Sequence, residues 1–200
     1  MIEEEMIDKK LADKKPSDTW LNRSFPYVPM NERDHKPRDR SITETRGPYY
    51  AMTPPTYTQE LFEGMGEHVD GYKYAGGSFS LMPADYVRKI NTICHDHGVY
   101  VSTGGWIENV LSRAPTQVDA YIEECKRLGF DMIELSTGFI QLPTPDLIRL
   151  IQKVKKAGLK PKPEIGIQFG AGGDKADAQI GGQRLRKAAQ VDHAPELVQA

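Results

Sequence analysis

The chain has 200 residues, with 26 lysines and arginines against 28 aspartates and glutamates, and a formal charge of −2. That length suffices for one domain with a core, and the near balance of charge, without a basic stripe interleaved with aromatics, argues against nucleic acid as the main partner. No apolar run approaches the length of a membrane span, the acidic start at Met1–Glu5 is unlike a secretory signal, and Cys94 and Cys125, lacking a CxxC partner, read as reduced packing residues of a cytoplasmic protein.

Residues 1–40 are rich in charges and are punctuated by Pro16, Pro26, Pro29 and Pro37. They read as a polar N-terminal arm, with Glu3–Lys15 as a short helix and Trp20, Phe25 and Tyr27 as surface anchors, or as a disordered segment. From Ser41 the pattern changes. Ile42–Arg46 is predicted as a strand, followed by a turn at Gly47-Pro48. Thr58–His68 is predicted as a helix with Leu61, Phe62 and Met65 on one side. Gly71–Ala75 is the second strand. A helix from Pro83 to about Asp96 places Tyr86, Val87, Ile90, Ile93 and Cys94 at helical spacing. Val99–Thr103 is the third strand.

Pro115–Leu128 is predicted as a helix with Val118, Tyr121, Ile122 and Cys125 on one stripe and Gly129 as its stop. Met132–Ser136 is the fourth strand. Thr144 is expected to cap a helix with Pro145 in its first turn, running through Leu147, Ile148, Leu150, Ile151 and Val154 to Lys156, with Gly158 beyond its end. Lys160–Ile167 is the fifth strand. Strands alternating with helices over short connections predict parallel pairing through helical crossovers. The expected fold is α/β, a (β/α)8 TIM-barrel type over residues 41–173, with a doubly wound open sheet as the alternative. Residues 174–200 form a divergent tail in which Gln183–Val191 has helical composition. Five strands do not close an eight-stranded barrel, so the expectation is an incomplete barrel: a fragment, a variant end, or a homo-oligomer covering the open edge.

Three strand ends share one plan. Asp70–Ser80, Val99–Trp106 and Lys160–Gly173 each run from a strand into glycines flanked by hydroxyl or amide side chains. Glycine allows positive φ and close approach of a ligand to backbone N–H groups. The repetition points to one polar face at the strand C-termini; tight βα turns alone are the other reading. His95 and His97, two apart near a helix end, do not share a helical face and read as caps of the helix dipole. Trp106 either shields such a site or packs beneath a helix.

Five motifs carry a family resemblance: Glu44–Tyr50 (ETRGPYY), Asp70–Ser80 (DGYKYAGGSFS), Val99–Glu108 (VYVSTGGWIE), Ile133–Phe139 (IELSTGF) and Lys162–Gly173 (KPEIGIQFGAGG). In this order and spacing, over about Lys36–Gly173, the chain resembles the phosphosulfolactate synthase family, which includes the archaeal coenzyme M biosynthesis enzyme and plant heat-stress-associated relatives. The resemblance implies a (β/α)8 barrel and the Mg²⁺-dependent addition of sulfite to phosphoenolpyruvate. After Gly173 the chain departs from the family, where further site residues are expected.

The implied reaction needs cations or a metal at a carboxylate, donors for a phosphate, and a general acid. Strand alternation puts Lys160, Lys162 and Glu164 on one face, and Lys162 is the expected general acid. Glu134, flanked by apolar residues in mid-strand, and Glu164 are the expected Mg²⁺ ligands, with Glu44 third. Buried ion pairs to Lys162 or Lys73 are the alternative for these carboxylates. Arg46 and Lys73 suit carboxylate, phosphate or sulfite. Gly76, Gly77, Ser78, Thr103, Gly104, Gly105, Ser136, Thr137, Gln168 and Gly170–Gly173 supply N–H, amide or hydroxyl groups to an oxyanion, or cap turns. Two functions follow as expectations: a synthase acting on small anionic substrates, or a non-catalytic stress-associated or interaction protein on the same scaffold.

Overall fold

A computed structural model describes residues 24–29, 31, 33–48, 53–138 and 140–164. The chain divides into two units, Met1–Asp34 and His35–Ala200. In the described part of the first, the Phe25 and Tyr27 rings meet edge-on at 6.2 Å, and both are exposed. Residues 1–23 of the arm, with the expected Glu3–Lys15 helix and Trp20, and the tail beyond Glu164, including the Gln183–Val191 segment, lie outside the described residues.

The second unit holds β1 (Glu44–Arg46), α1 (Pro55–Met65), β2 (Gly71–Lys73), α2 (Ala84–Asp96), β3 (Tyr100–Ser102), α3 (Ile107–Arg113), α4 (Val118–Leu128), β4 (Met132–Ser136), α5 (Thr144–Lys156) and β5 (Lys160–Glu164). All strand pairs are parallel, and their order is β1-β2-β3-β4-β5. A doubly wound sheet reverses direction at a switch point; this one does not. The described residues form five strands of a (β/α)8-type barrel.

Local chemistry explains most element boundaries. α1 begins at Pro55, earlier than expected, because Pro54 takes the N-cap and Pro55 the first turn; the residues after it, Gly66–His68, tighten into a 3₁₀ turn. The predicted Pro115–Leu128 helix is a 3₁₀ turn at Pro115–Gln117 followed by α4. α3 has no counterpart among the predicted elements, although Ile107, Val110 and Leu111 stand at helical spacing. Thr144 is not a cap: Pro143 holds the N-cap position and no side chain caps the helix. α5 carries Asp146 in its first turn and Lys153, Lys155 and Lys156 in its last, each sign matched to the helix dipole. Gly129 ends α4 with φ of 84°.

Alternation divides each strand. Tyr72, Val101, Ile133 and Leu135 face the helices and join a core with Phe62, Val87, Ile90, Leu147, Ile151 and Val154. Cys94 and Cys125 are free and buried in that core, and burial pushes both thiols up to about 12. Trp106 packs its ring over Gly77, where an added Cβ would lie 2.0 Å from the indole, and meets Phe79 edge-on.

The N-terminal end of the barrel is stapled by the segment just before β1. Arg38 donates to Asp70 Oδ1 at 2.7 Å and to Glu67 O at 2.8 Å, while Asp70 Oδ2 accepts from Thr43 N at 2.8 Å. Lys36 Nζ donates to the carbonyls of Gly66 and His97, both at 2.8 Å. Among the described residues, no helix is long and apolar enough to cross a membrane.

Candidate active site at the strand ends

The strand faces turned away from the helices carry Glu44 and Arg46 on β1, Lys73 on β2, Ser102 on β3, Glu134 and Ser136 on β4, and Lys162 and Glu164 on β5. Register sets them side by side: Arg46 against Lys73, Lys73 against Ser102, Glu134 against Lys162, and Ser136 against Glu164. Ion pairing is one of the two sequence readings of these carboxylates, and the side chains are so paired. Lys73 Nζ lies 2.5 Å from Glu134 Oε2 and 3.2 Å from Glu164 Oε2. Lys162 pairs with Glu44 Oε2 and stands 3.6 Å from Glu134 Oε2.

Burial grades this cluster. Glu134 is 2% exposed, whereas the side chains of Lys162 and Glu164 are 31% and 38% exposed. Burial first, then a hydrogen bond shared with Glu164, pushes the Glu134 carboxyl up to about 7 against the pull of Lys73. Glu164 moves down, because it accepts that hydrogen bond and faces Lys73 and Lys162. Burial pulls the Lys73 ammonium down, but Glu134 and Glu164 outweigh it and its pKa is raised.

Two carboxylate oxygens in this cluster are buried, Glu134 Oε2 and Glu44 Oε1; the first already has the Lys73 ammonium at 2.5 Å, and the second accepts no hydrogen bond. Such an oxygen is suited to a cation. No group of three or more His, Cys, Asp and Glu side chains is placed to hold a metal among the described residues. A site with one or two carboxylates, completed by water and substrate oxygens, fits the habit of Mg²⁺ rather than of zinc.

The other expected ligand residues divide by their local bonds. Arg46 is exposed at the end of β1. Ser78 opens a 3₁₀ turn, its amide donating to Ala75 O at 2.9 Å. Thr103 is buried and extends the β3–β4 ladder with its side chain: its Oγ1 accepts from Glu134 N at 3.2 Å and donates to Gly104 O at 3.0 Å. Gly104 has φ of 63°, and a Cβ there would lie 2.2 Å from Tyr74 O. A Cβ on Gly105 would meet Ser136 Cβ at 3.1 Å and Glu134 Oε1 at 3.6 Å. Thr137 donates its amide to Glu164 O at 3.2 Å, and Ser136 Oγ donates to Glu108 Oε1 at 2.5 Å. Gln168 and Gly170, with the rest of the third glycine stretch, lie outside the described residues.

Glu108 has no role assigned from sequence, although it ends one of the five motifs. It is 5% exposed and accepts from Gly138 N at 2.6 Å as well as from Ser136. A carboxylate placed among the apolar spacings of Ile107, Val110 and Leu111 is the sequence signal that points to it.

Fold and site together define a (β/α)-barrel protein with lysines and carboxylates gathered on the inward faces of its parallel strands: Glu44 opens β1, Glu134 and Lys162 lie mid-strand, and Lys73 and Glu164 stand at the C-terminal ends, the end at which enzymes of this architecture hold their sites. The chain belongs to the (2R)-phospho-3-sulfolactate synthase (ComA) family, whose profile matches residues 31–196. It is 44% identical over 138 residues to the protein HEAT-STRESS-ASSOCIATED 32 of Arabidopsis thaliana, covering 69% of this chain and 48% of that one. It is 25% identical over 114 residues to a phosphosulfolactate synthase of Methanocaldococcus jannaschii, covering 56% and 45%. A phosphosulfolactate synthase of Methanothermobacter thermautotrophicus is 26% identical over 134 residues, covering 67% and 50%. The chain thus spans about half the length of the curated relatives it matches. Among solved structures, a xylose isomerase domain protein of Planctomyces limnophilus matches with a TM-score of 0.39 and 12% identity, over 65% of this chain and 54% of that one.

Proposed function

We propose that the chain carries the site of a phosphosulfolactate synthase: the Mg²⁺-dependent addition of sulfite to phosphoenolpyruvate. The observation that supports this best is the inward cluster of Lys73, Glu134, Glu164, Lys162 and Glu44, on a chain whose relatives include proteins named for that product. In the proposed reaction the sulfur lone pair of sulfite forms a C–S bond to the methylene carbon. The electrons of the double bond move toward the carboxylate, and the neighbouring carbon then takes a proton. No bond to phosphate breaks.

Lys162 is the proposed donor of that proton, from an ammonium that rests between Glu44 and Glu134. Lys73 and Arg46 attract the anionic substrates. Glu134 and Glu164 would hold Mg²⁺, which supplies positive charge to the carboxylate as negative charge develops there. Ser136 and the amides of Thr137 and Gly138 are committed to bonds within the protein, so the substrate's oxygens are expected against the lysines and the Gly76–Ser78 and Gly104–Gly105 turns.

A second reading is favoured by one observation: identity is higher to the heat-stress-associated relative, 44%, than to the synthases, 25% and 26%. In that reading the barrel serves a stress-associated, non-catalytic role. Incubating the purified chain with phosphoenolpyruvate, sulfite and Mg²⁺ separates the two. Sulfonated product, lost in Lys162→Ala, supports the synthase; a folded sample that forms no product supports the second.

A further inference from the structure

Glu108 takes no part in the reaction proposed above, yet it is among the most buried carboxylates of the described residues, at 5% exposure. It stands in the first turn of α3, directly after the Gly104–Trp106 turn that leaves β3. One oxygen, Oε1, accepts from two groups at the exit of β4: Ser136 Oγ at 2.5 Å and Gly138 N at 2.6 Å. The next strand grips the same exit from the other side, since Thr137 N and Oγ1 both approach Glu164 O, at 3.2 and 3.5 Å.

The space between the two turns is set by Gly105. A Cβ there would crowd Ser136 Cβ at 3.1 Å and stand 3.6 Å from Glu134 Oε1. The β3–α3 turn therefore lies flat on Ser136 and Glu134, and Glu108 reaches across it to close the contact. Charge-assisted hydrogen bonds to a buried carboxylate are among the stronger ones, and losing this acceptor takes it from Ser136 Oγ and leaves the Gly138 amide with only Ser136 Oγ at 3.4 Å.

We propose that Glu108 is a positioning residue of this site: by accepting from Ser136 and Gly138 it clamps the exit of β4 against the β3–α3 turn and so holds the Glu134 carboxylate in place. The inference deepens the synthase reading and rests on it for its kinetic consequence, but the clamp itself is measurable without turnover. The Ser136 and Gly138 donors to Oε1 belong to the β4 exit, and that loop carries the effect of Glu108 toward Glu134.

The test compares wild type, Glu108→Ala and Glu108→Gln by amide hydrogen exchange and, in parallel, by steady-state kinetics with phosphoenolpyruvate, sulfite and Mg²⁺. In Glu108→Ala the Gly138 amide is expected to exchange about 30-fold faster or more, with the Ile133 and Leu135 amides of β4 unchanged. kcat should fall about tenfold or more while KM for phosphoenolpyruvate stays within about threefold. Glu108→Gln, which keeps an acceptor oxygen, should recover part of both. The proposal is overturned if Gly138 exchanges at the wild-type rate, if all β4 amides accelerate together, or if Glu108→Ala turns over at the wild-type kcat. Should wild type form no product, the synthase reading fails by itself. The clamp is then judged on exchange: a change confined to the loop and recovered in Glu108→Gln upholds it, and a uniform change overturns it.

Discussion

Lys162 on β5 pairs with Glu44 on β1, although these strands are the two ends of the five-stranded sheet. In a flat sheet, strands four positions apart lie roughly 19 Å from one another, farther than an extended lysine and glutamate can bridge. The ion pair therefore requires the sheet to curl until its first and last strands face each other. The same curl brings Lys73 of β2 to Glu164 of β5. Curvature creates the cluster, and the cluster is the clearest sign of that curvature.

If this pairing orients the proposed proton donor, its two members differ in their effects. Lys162→Ala is expected to lower kcat for sulfite addition by about 100-fold or more, the range for loss of a general acid. Glu44→Gln keeps the lysine but not its charged partner, and a smaller loss of about tenfold is expected. Product formation by each purified variant, beside circular dichroism to establish folding, checks both.

The staple at the other end of the barrel should govern stability rather than chemistry. Arg38 and Asp70 have side chains 3% and 6% exposed and stand 2.7 Å apart. Asp70→Ala would leave a buried guanidinium and the Thr43 amide without this acceptor. Removing one partner of a buried pair typically costs about 3–5 kcal/mol. Urea denaturation should show a loss of that size, and Lys162→Ala should show a much smaller one.

Two glycines with positive φ should differ sharply when replaced. Gly104 has φ of 63° and an added Cβ would strike a backbone oxygen, Tyr74 O, at 2.2 Å. Gly129 has φ of 84°, but the nearest atom to its Cβ is Asn91 Cβ at 3.8 Å. Gly129→Ala is expected to cost about 1 kcal/mol, from the left-handed conformation alone. Gly104→Ala adds a clash that backbone cannot easily relieve and should cost about 3 kcal/mol. Thermal or urea unfolding of the two variants tests the ranking.

Glu134 gives stability a pH dependence of defined sign. Its carboxyl is pushed up to about 7 from 4.5, chiefly by burial. The folded state therefore holds this proton more tightly than the unfolded chain. The stability it contributes is complete below about pH 4.5 and is lost as pH rises through about 7. Glu164 is shifted down, so its contribution is present above its ordinary range and is lost only at acid pH. Without added divalent metal, wild type should be less stable at about pH 8 than at about pH 5 by on the order of 2 kcal/mol. Glu134→Gln should flatten that difference, as read by urea denaturation at both pH values.

Periodicity and punctuation made most elements legible. The Leu147–Leu150–Ile151–Val154 stripe with its flanking charges defines α5, Gly129 marks the end of α4, and Met132–Ser136 reads as a strand to the residue. Strand alternation places Lys162 and Glu164 on one face, because a period of two depends on local backbone geometry alone. α3 escapes a sequence reading because its seven residues give too little length for a periodic signal beside a glycine turn. The cap does not fall at Thr144 because two prolines compete for the same turn.

What the sequence by itself determined was the set of elements apart from α3, their parallel arrangement and the family motifs, all of which depend on neighbours within a few residues. Only the tertiary structure decided which carboxylate meets which lysine. Glu44 and Lys162 are 118 positions apart along the chain, and Arg38 and Asp70 are 32 apart; no local rule reaches that far. Glu108 shows the same limit: it stands within a recognisable motif, yet its contacts depend on the exit of another strand. Burial, which raises the Glu134 carboxyl, is likewise a property of the curled sheet and not of any one segment.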